Sequence, residues 1–203
     1  VAGMGFGLSA GGAISRCPQT LATDNNVRPV RFDGQDRLCL NGERLINTAG
    51  AYGVLNTQYK TELDSFVLVT QLGAKGSSLA NDSSIYYQVQ TKSGERQYYG
   101  ADQAASSTRN ARVKPSGAPN AATLSWMLDT QLDRSENNVQ YSYTVAGSGE
   151  NLLSRISYTG TGAVAGNRFV DFIYETRADR SSSYLAGALS EQTKRLKSIS
   201  TSA

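Results

Sequence analysis

The sequence predicts an all-β fold of antiparallel strands with little helix, arranged as a sandwich or as part of a curved β-shell. Three observations predict it. Apolar residues recur at every second position in several runs, the period of a strand with one buried face. Turn-forming residues interrupt these runs every ten or so residues, as they do between the short strands of sandwiches and barrels. Tyrosine is the dominant aromatic, with 11 Tyr against 5 Phe and 1 Trp, and it suits half-buried sheet faces. With 203 residues, 39% of them apolar, the chain is long enough for one sizeable core, so residues 1–203 are expected to form one β-rich module.

The elements follow in order. Gly3-Met4-Gly5-Phe6-Gly7-Leu8 alternates glycine with larger apolar groups, as in a strand with one bare face. It is not expected to be the dinucleotide fingerprint, which follows a hydrophobic strand. Residues 15–31 read as loop. Val30 and Phe32, then Leu38 and Leu40, flank Asp33-Gly34, a pair that favours a tight hairpin turn. Asn41-Gly42 repeats the signal before a short strand, Arg44 to Ile46. Tyr59 to Val69 reads as one strand by parity and β-branched content. Ile85 to Thr91 and Arg96 to Tyr99 form a hairpin around Ser93-Gly94.

Residues 100–122 are small, polar and hold Pro115 and Pro119, so any internal division falls there. Thr123 to Asp133, with Trp126, Met127, Leu128 and Leu132, fits either a short helix or a strand. Val139 to Val145, Leu152 to Tyr158 and Phe169 to Tyr174 read as three consecutive antiparallel strands. Residues 184–199 fit a helix from Leu185 to Leu196 or a last strand.

Composition narrows function. Lys and Arg total 20 against 17 Asp and Glu, a net of +3. The densest basic cluster is Lys194, Arg195 and Lys197, too short for a nucleic-acid footprint. No window spans a membrane as a helix. The chain begins at Val1 without a signal peptide, and is expected to be a piece of a longer protein.

Histidine is absent, which removes His-based triads and His metal sites. No cofactor, no metal and no catalytic residue is expected, so the chain is read as no enzyme. Glu62 and Asp64 share parity and could form an acid pair, but they are read as a solvated strand face. Asp24-Asn25-Asn26 and Asp33-Gly34-Gln35-Asp36 offer oxygens to calcium without a complete loop. Tyr86, Tyr87, Tyr98, Tyr99, Tyr141, Tyr143 and Tyr158 form either a binding platform or ordinary sheet packing. Cys17 and Cys39 are either a disulfide or two separate buried thiols.

Several segments carry a family resemblance. They are Gly5 to Ser9 through Ile14-Ser15-Arg16-Cys17-Pro18; Phe32-Asp33 to Arg37-Leu38-Cys39-Leu40-Asn41-Gly42-Glu43-Arg44-Leu45; and Tyr59 to Phe66. Thr91-Lys92-Ser93-Gly94, Ser154 to Gly160, Arg177-Ala178-Asp179-Arg180, Tyr184 to Gly187 and Thr193 to Ile199 continue it. In order and spacing these resemble the N-terminal region of the Salmonella virulence plasmid protein B type (SpvB-like). That region is shared with B components of insecticidal toxin complexes and with Rhs/YD-repeat proteins. The chain departs from the family pattern at Phe6, where the family has Trp, and at Asn41.

The resemblance implies a non-catalytic structural module of a secreted or cell-surface toxin protein. It would adjoin β-propeller and Rhs-repeat domains, contact other toxin-complex subunits and help to enclose a C-terminal toxin domain. The competing reading is an extracellular binding module, an adhesin or a carbohydrate-binding sandwich.

Overall fold

A computed structural model describes residues 10–63, 65–106 and 108–202. The glycine alternation at residues 3–8 lies outside them. The described strands are β1 (Ala13–Cys17), β2 (Arg37–Leu40), β3 (Glu43–Ala49), β4 (Gln58–Thr61), β5 (Leu68–Leu72), β6 (Tyr86–Gln90) and β7 (Arg96–Tyr99). They continue as β8 (Arg112–Val113), β9 (Ser125–Leu132), β10 (Asn137–Gly147), β11 (Glu150–Thr161), β12 (Arg168–Leu185) and β13 (Ala188–Ser202). Helix is confined to one turn, α1 (Leu21–Asp24), and a 3-10 turn at Pro119–Ala121.

The first seven strands pair in sequence order, every neighbour antiparallel. β9 then closes the ring. Its first residues pair with β1, Trp126 opposite Ile14, and its later ones with β7, Thr130 opposite Tyr98. Eight strands therefore form a closed barrel: the all-β antiparallel class is as expected, and the arrangement, expected as a sandwich or part of a curved shell, is a barrel with further strands attached. One long strand supplies both seams, so the sheet closes on itself and those edges disappear.

The bend in β9 comes from a bulge: Leu128 faces Tyr99 and Thr130 faces Tyr98, leaving Asp129 as an extra residue. The core follows the strand alternation. Ile14, Leu38, Leu45, Tyr59, Val69, Tyr87 and Trp126 are fully buried. Trp126 stands edge-on to Tyr87 with centroids 5.1 Å apart and donates its indole N–H to Ile85 O at 3.0 Å. Gly100 makes room for it. A Cβ there would lie 2.4 Å from Trp126 Cδ1, and the backbone has φ +86°.

β9 also pairs with β10; β10, β11 and β12 form the antiparallel run expected between residues 139 and 174, and β13 adds a further strand to it. β11 and β12 pair only over Arg155–Tyr158 and Arg168–Asp171. Beyond that the β12–β13 hairpin arches back to the barrel. Its turn buries Ala188 in a second apolar cluster with Phe32 and Ala122. Leu189 N donates to Ser116 O at 2.8 Å and Glu191 N to Ser148 O at 2.8 Å, fastening the first half of β13. Residues 184–199 are therefore the end of β12, a turn at Ala186-Gly187 and β13, not a helix, and 125–132 is strand.

Two expected strands are shorter or missing. The run from Tyr59 to Val69 breaks after Thr61, whose hydroxyl meets Leu63 O at 2.8 Å and accepts from Ser65 N at 3.1 Å. That local bonding competes with the ladder, and Phe66 follows at φ +56°. Asp33-Gly34 turns the chain without forming a hairpin, because residues 30–32 belong to no strand. Asn41-Gly42 does form one: both residues have positive φ, and β2 and β3 pair directly across them. In the stretch 100–122, β8 lies beside β9 and Ser116 bridges to Leu189.

Candidate functional site

The densest charge cluster lies at one end of the barrel. Arg16 follows Ile14 on the inward face of β1, so its guanidinium is forced inside. There all its donors find acceptors. Nε donates to Thr123 O at 2.8 Å, Nη1 to Asp33 O and Asp36 Oδ2 at 2.9 Å each, and Nη2 to Leu79 O and to Asp82 Oδ2 at 2.7 Å. Neither the Arg16 nor the Asp36 side chain reaches water. Asp82 also accepts from Thr123 N at 2.9 Å, and Asp36 from Arg31 N at 2.9 Å. Phe32 and Trp126 flank the guanidinium at 6.0 and 5.8 Å. The cluster ties three loops to β1 and leaves no polar atom of Arg16 open to a ligand. Its sequence signal is a cation at an inward strand position.

A cavity of about 330 Å³ lies where β9 and β10 meet the loops at 102–104 and 162–163. Asp102, Arg109, Thr130, Leu132 and Gln140 line it. Arg109 holds Asp129 behind the wall through Nε and Nη2, and reaches Asp102 at 3.4 Å. Burial pushes the Asp129 carboxyl above its ordinary value, and the Arg109 guanidinium only partly offsets this. Its Oδ2 is buried without a hydrogen-bond partner. The bulge explains this placement, since it turns Asp129 inward beside Leu128. Asp102 is the one carboxylate on the cavity wall, and both acids face the same guanidinium, so the arrangement orders Arg109 and presents no acid–base pair.

The sequence candidates disperse. Glu62 sits in the bend after β4 and accepts from Thr23 Oγ1 at 3.3 Å; Asp64 lies outside the described residues. Asp24 is held by Arg37, Arg44 and Thr20 N; burial opposes ionisation, yet these partners bring its carboxyl below the ordinary value. Asp33 and Asp36 face Arg28 and Arg16. Among the described residues no three His, Cys, Asp or Glu side chains gather as metal ligands.

Of the seven tyrosines named above, Tyr87, Tyr98, Tyr99, Tyr141 and Tyr143 are buried, so they pack the sheet and form no exposed platform. Tyr143 donates its hydroxyl to Leu128 O at 2.6 Å. Cys17 and Cys39 are joined as a disulfide between β1 and β2, Cα–Cα 6.0 Å. Within the basic cluster Arg195 pairs with Glu175, and Lys194 Nζ donates to Thr176 Oγ1 at 2.9 Å.

No protein-family model and no curated protein sequence matches the chain. Solved structures do. The N-terminal domain of effector protein SpvB from Salmonella typhimurium superposes with a TM-score of 0.73 at 15% identity, over 95% of this chain and 75% of that one. This chain has the fold of the SpvB N-terminal domain. The SpvB-type fold also matches the TcdB2-TccC3 chain with a TM-score of 0.71 at 13% identity, over 94% of this chain and 11% of that one. A chain of the Photorhabdus luminescens Tc holotoxin pore matches with a TM-score of 0.69 at 12% identity and the same coverage. The chain thus spans about one ninth of the length of those toxin chains. The closed barrel, the fastened hairpin and the buried arginine cluster describe this example of the SpvB-type fold.

Proposed function

We propose that the chain is a non-catalytic structural module of a larger secreted protein of the toxin-complex type, where it packs against neighbouring domains and helps to build a shell around a toxic cargo. The SpvB-type fold, set within toxin chains nine times its matched length, supports the toxin setting. Adjacent β-propeller and Rhs-repeat domains and other toxin-complex subunits are the partners of this reading, and a curved sheet wall is the shape it asks for.

The observation that carries the structural role is the free end of the β12–β13 hairpin. The first half of β13 is fastened by Ser116, Ser148 and Glu150. Residues 197–202 are all exposed, and β13 is last in the sheet order, so its outer edge has no partner strand among the described residues. Ile173 and Ile199 stand 47% and 45% exposed beside that edge. An unpaired edge with apolar residues is what a module shows where a neighbour belongs.

Hydrogen exchange tests this. In the intact parent protein the amides of residues 197–202 should exchange more slowly than in the isolated chain. Equal rates in the two forms overturn the role. Hydrolytic or transferase activity of the isolated chain, abolished by a single substitution lining the Asp102 cavity, overturns the non-catalytic reading.

A further inference from the structure

A second cavity, about 320 Å³, opens on the flank where β8 approaches the start of β11. Asn110, Arg112, Lys114, Val145 and Asn151 line it, and no carboxylate does. Arg112 and Lys114 are two apart on an extended segment, with buried Val113 between them, so both cations point to the same side.

Arg112 differs from most arginines of the chain. Arg16, Arg28, Arg37, Arg44, Arg96 and Arg109 each pair with a carboxylate. Arg112 is half-buried and donates Nη1 to Ser83 O at 2.6 Å, while its Nε is shut from water without an acceptor. Burial holds its guanidinium below the ordinary value, opposed only from a distance by Asp82 and Asp129. Those two acids are engaged by Arg16 and Arg109. A partly desolvated cation without a counter-charge is costly unless an anion completes it.

The backbone around it is fixed. Asn151 Nδ2 donates to Asn110 O at 2.7 Å and Arg112 O at 3.1 Å, and Asn110 Nδ2 donates to Tyr143 O at 3.1 Å. Val145, 58% exposed, adds an apolar wall beside the two cations. We propose that this cavity is an anion-binding site that takes one carboxylate group on a short aliphatic stem, the acid between Arg112 and Lys114 and the stem against Val145. The inference stands apart from the shell reading, because it concerns a ligand and not the β13 edge.

Two carriers share the carboxylate, an acidic side chain of a polypeptide and a sugar acid, and only the first brings the aliphatic stem that packs on Val145. The test follows the Arg112 Nε–H signal by nitrogen-15 NMR during titration with N-acetylglutamic acid amide, with glucuronate and with neutral N-acetylglutamine amide. Either acid should shift the signal saturably, the neutral amide should not, and the tighter acid identifies the carrier. Lys114→Gln, at an exposed position that leaves the fold intact, should weaken binding about fivefold, as expected for one partly exposed charge contact. No saturable shift with either acid, an equal response to the neutral amide, or unchanged affinity in Lys114→Gln overturns the site.

Discussion

Arg16 and Asp82 meet at 2.7 Å inside the barrel end, 66 positions apart in sequence, with 0% and 3% of their side chains exposed. The pair forms because β1 runs an inward position into a ring of loop carbonyls and acids. Removing the guanidinium leaves Asp82 as a buried charge without its cation and Asp36 with only its 3.3 Å contact to Arg28, whereas its presence satisfies both. Arg16→Met should therefore cost about 3–5 kcal/mol of unfolding free energy, the usual scale for breaking one side of a buried ion pair. Arg16→Lys should recover only part of it, since an ammonium cannot serve acceptors on every side of a planar fork. Denaturant titration of the three proteins checks the order; equal midpoints for Arg16→Met and the parent would show that the cluster contributes nothing.

The Cys17–Cys39 bond joins neighbouring strands that already pair, Ser15 opposite Cys39 and Cys17 opposite Arg37. Its effect is then mainly on the unfolded chain, where it closes a loop of 22 residues. Replacing both cysteines by alanine should lower stability by about 3 kcal/mol on that chain-entropy estimate, and the reduced parent should behave alike. The check is the denaturant midpoint with and without reductant. A midpoint insensitive to reductant, in a protein shown by mass to carry the bond, would contradict it.

What the residues reveal by themselves depends on the range of the interaction. Asn41-Gly42 marks its hairpin because positive φ is a local demand, and Val139, Tyr141 and Tyr143 mark β10 because alternation is local too. Barrel closure rests on Ile14 opposite Trp126, a contact across more than half the chain, and no local pattern encodes it. The Thr61 turn was hidden inside a good strand pattern, since a single hydroxyl bonding Ser65 N overrides parity. Arg16 showed within the resemblance only as one letter of an anchor, and its role emerges from loops that reach it from residues 33, 36, 79, 82 and 123. Cys17 and Cys39 needed the β1–β2 register before pairing could be distinguished from separate burial.

Two aspartates should give opposite pH dependences. The Asp24 carboxyl lies below the ordinary value of 3.8: burial opposes this, but Arg37, Thr20 N and Arg44 outweigh it. Its stabilisation is complete above 3.8 and is lost as pH falls through the lower folded value. The Asp129 carboxyl is raised, by burial first. Its ionisation penalty is absent below 3.8 and complete above the raised folded value, so this residue loses stability as pH rises. The stability gap between parent and Asp24→Asn should shrink from about pH 6 to about pH 3, while the parent should gain relative to Asp129→Asn over the same interval. Calorimetric or denaturant stabilities at the two pH values decide; parallel slopes for the two variants would refute the assignment.

Lys197 lies where β13 carries one residue more than β12: Ser198 faces Ile173 and Leu196 faces Tyr174, leaving the lysine extra. A bulge and a cation on an open edge both obstruct pairing with another chain, because the first kinks the hydrogen-bonding row and the second adds a like charge to any second copy. Exposed Ile173 and Ile199 make that protection necessary, since they offer apolar surface beside the same edge. Lys197→Val keeps β-propensity and the bulge count but removes the charge, so the isolated chain should associate in a concentration-dependent way while its secondary structure stays the same. Light scattering across a dilution series, with circular dichroism alongside, measures it. A variant that stays monomeric wherever the parent does would mean that the bulge alone guards the edge.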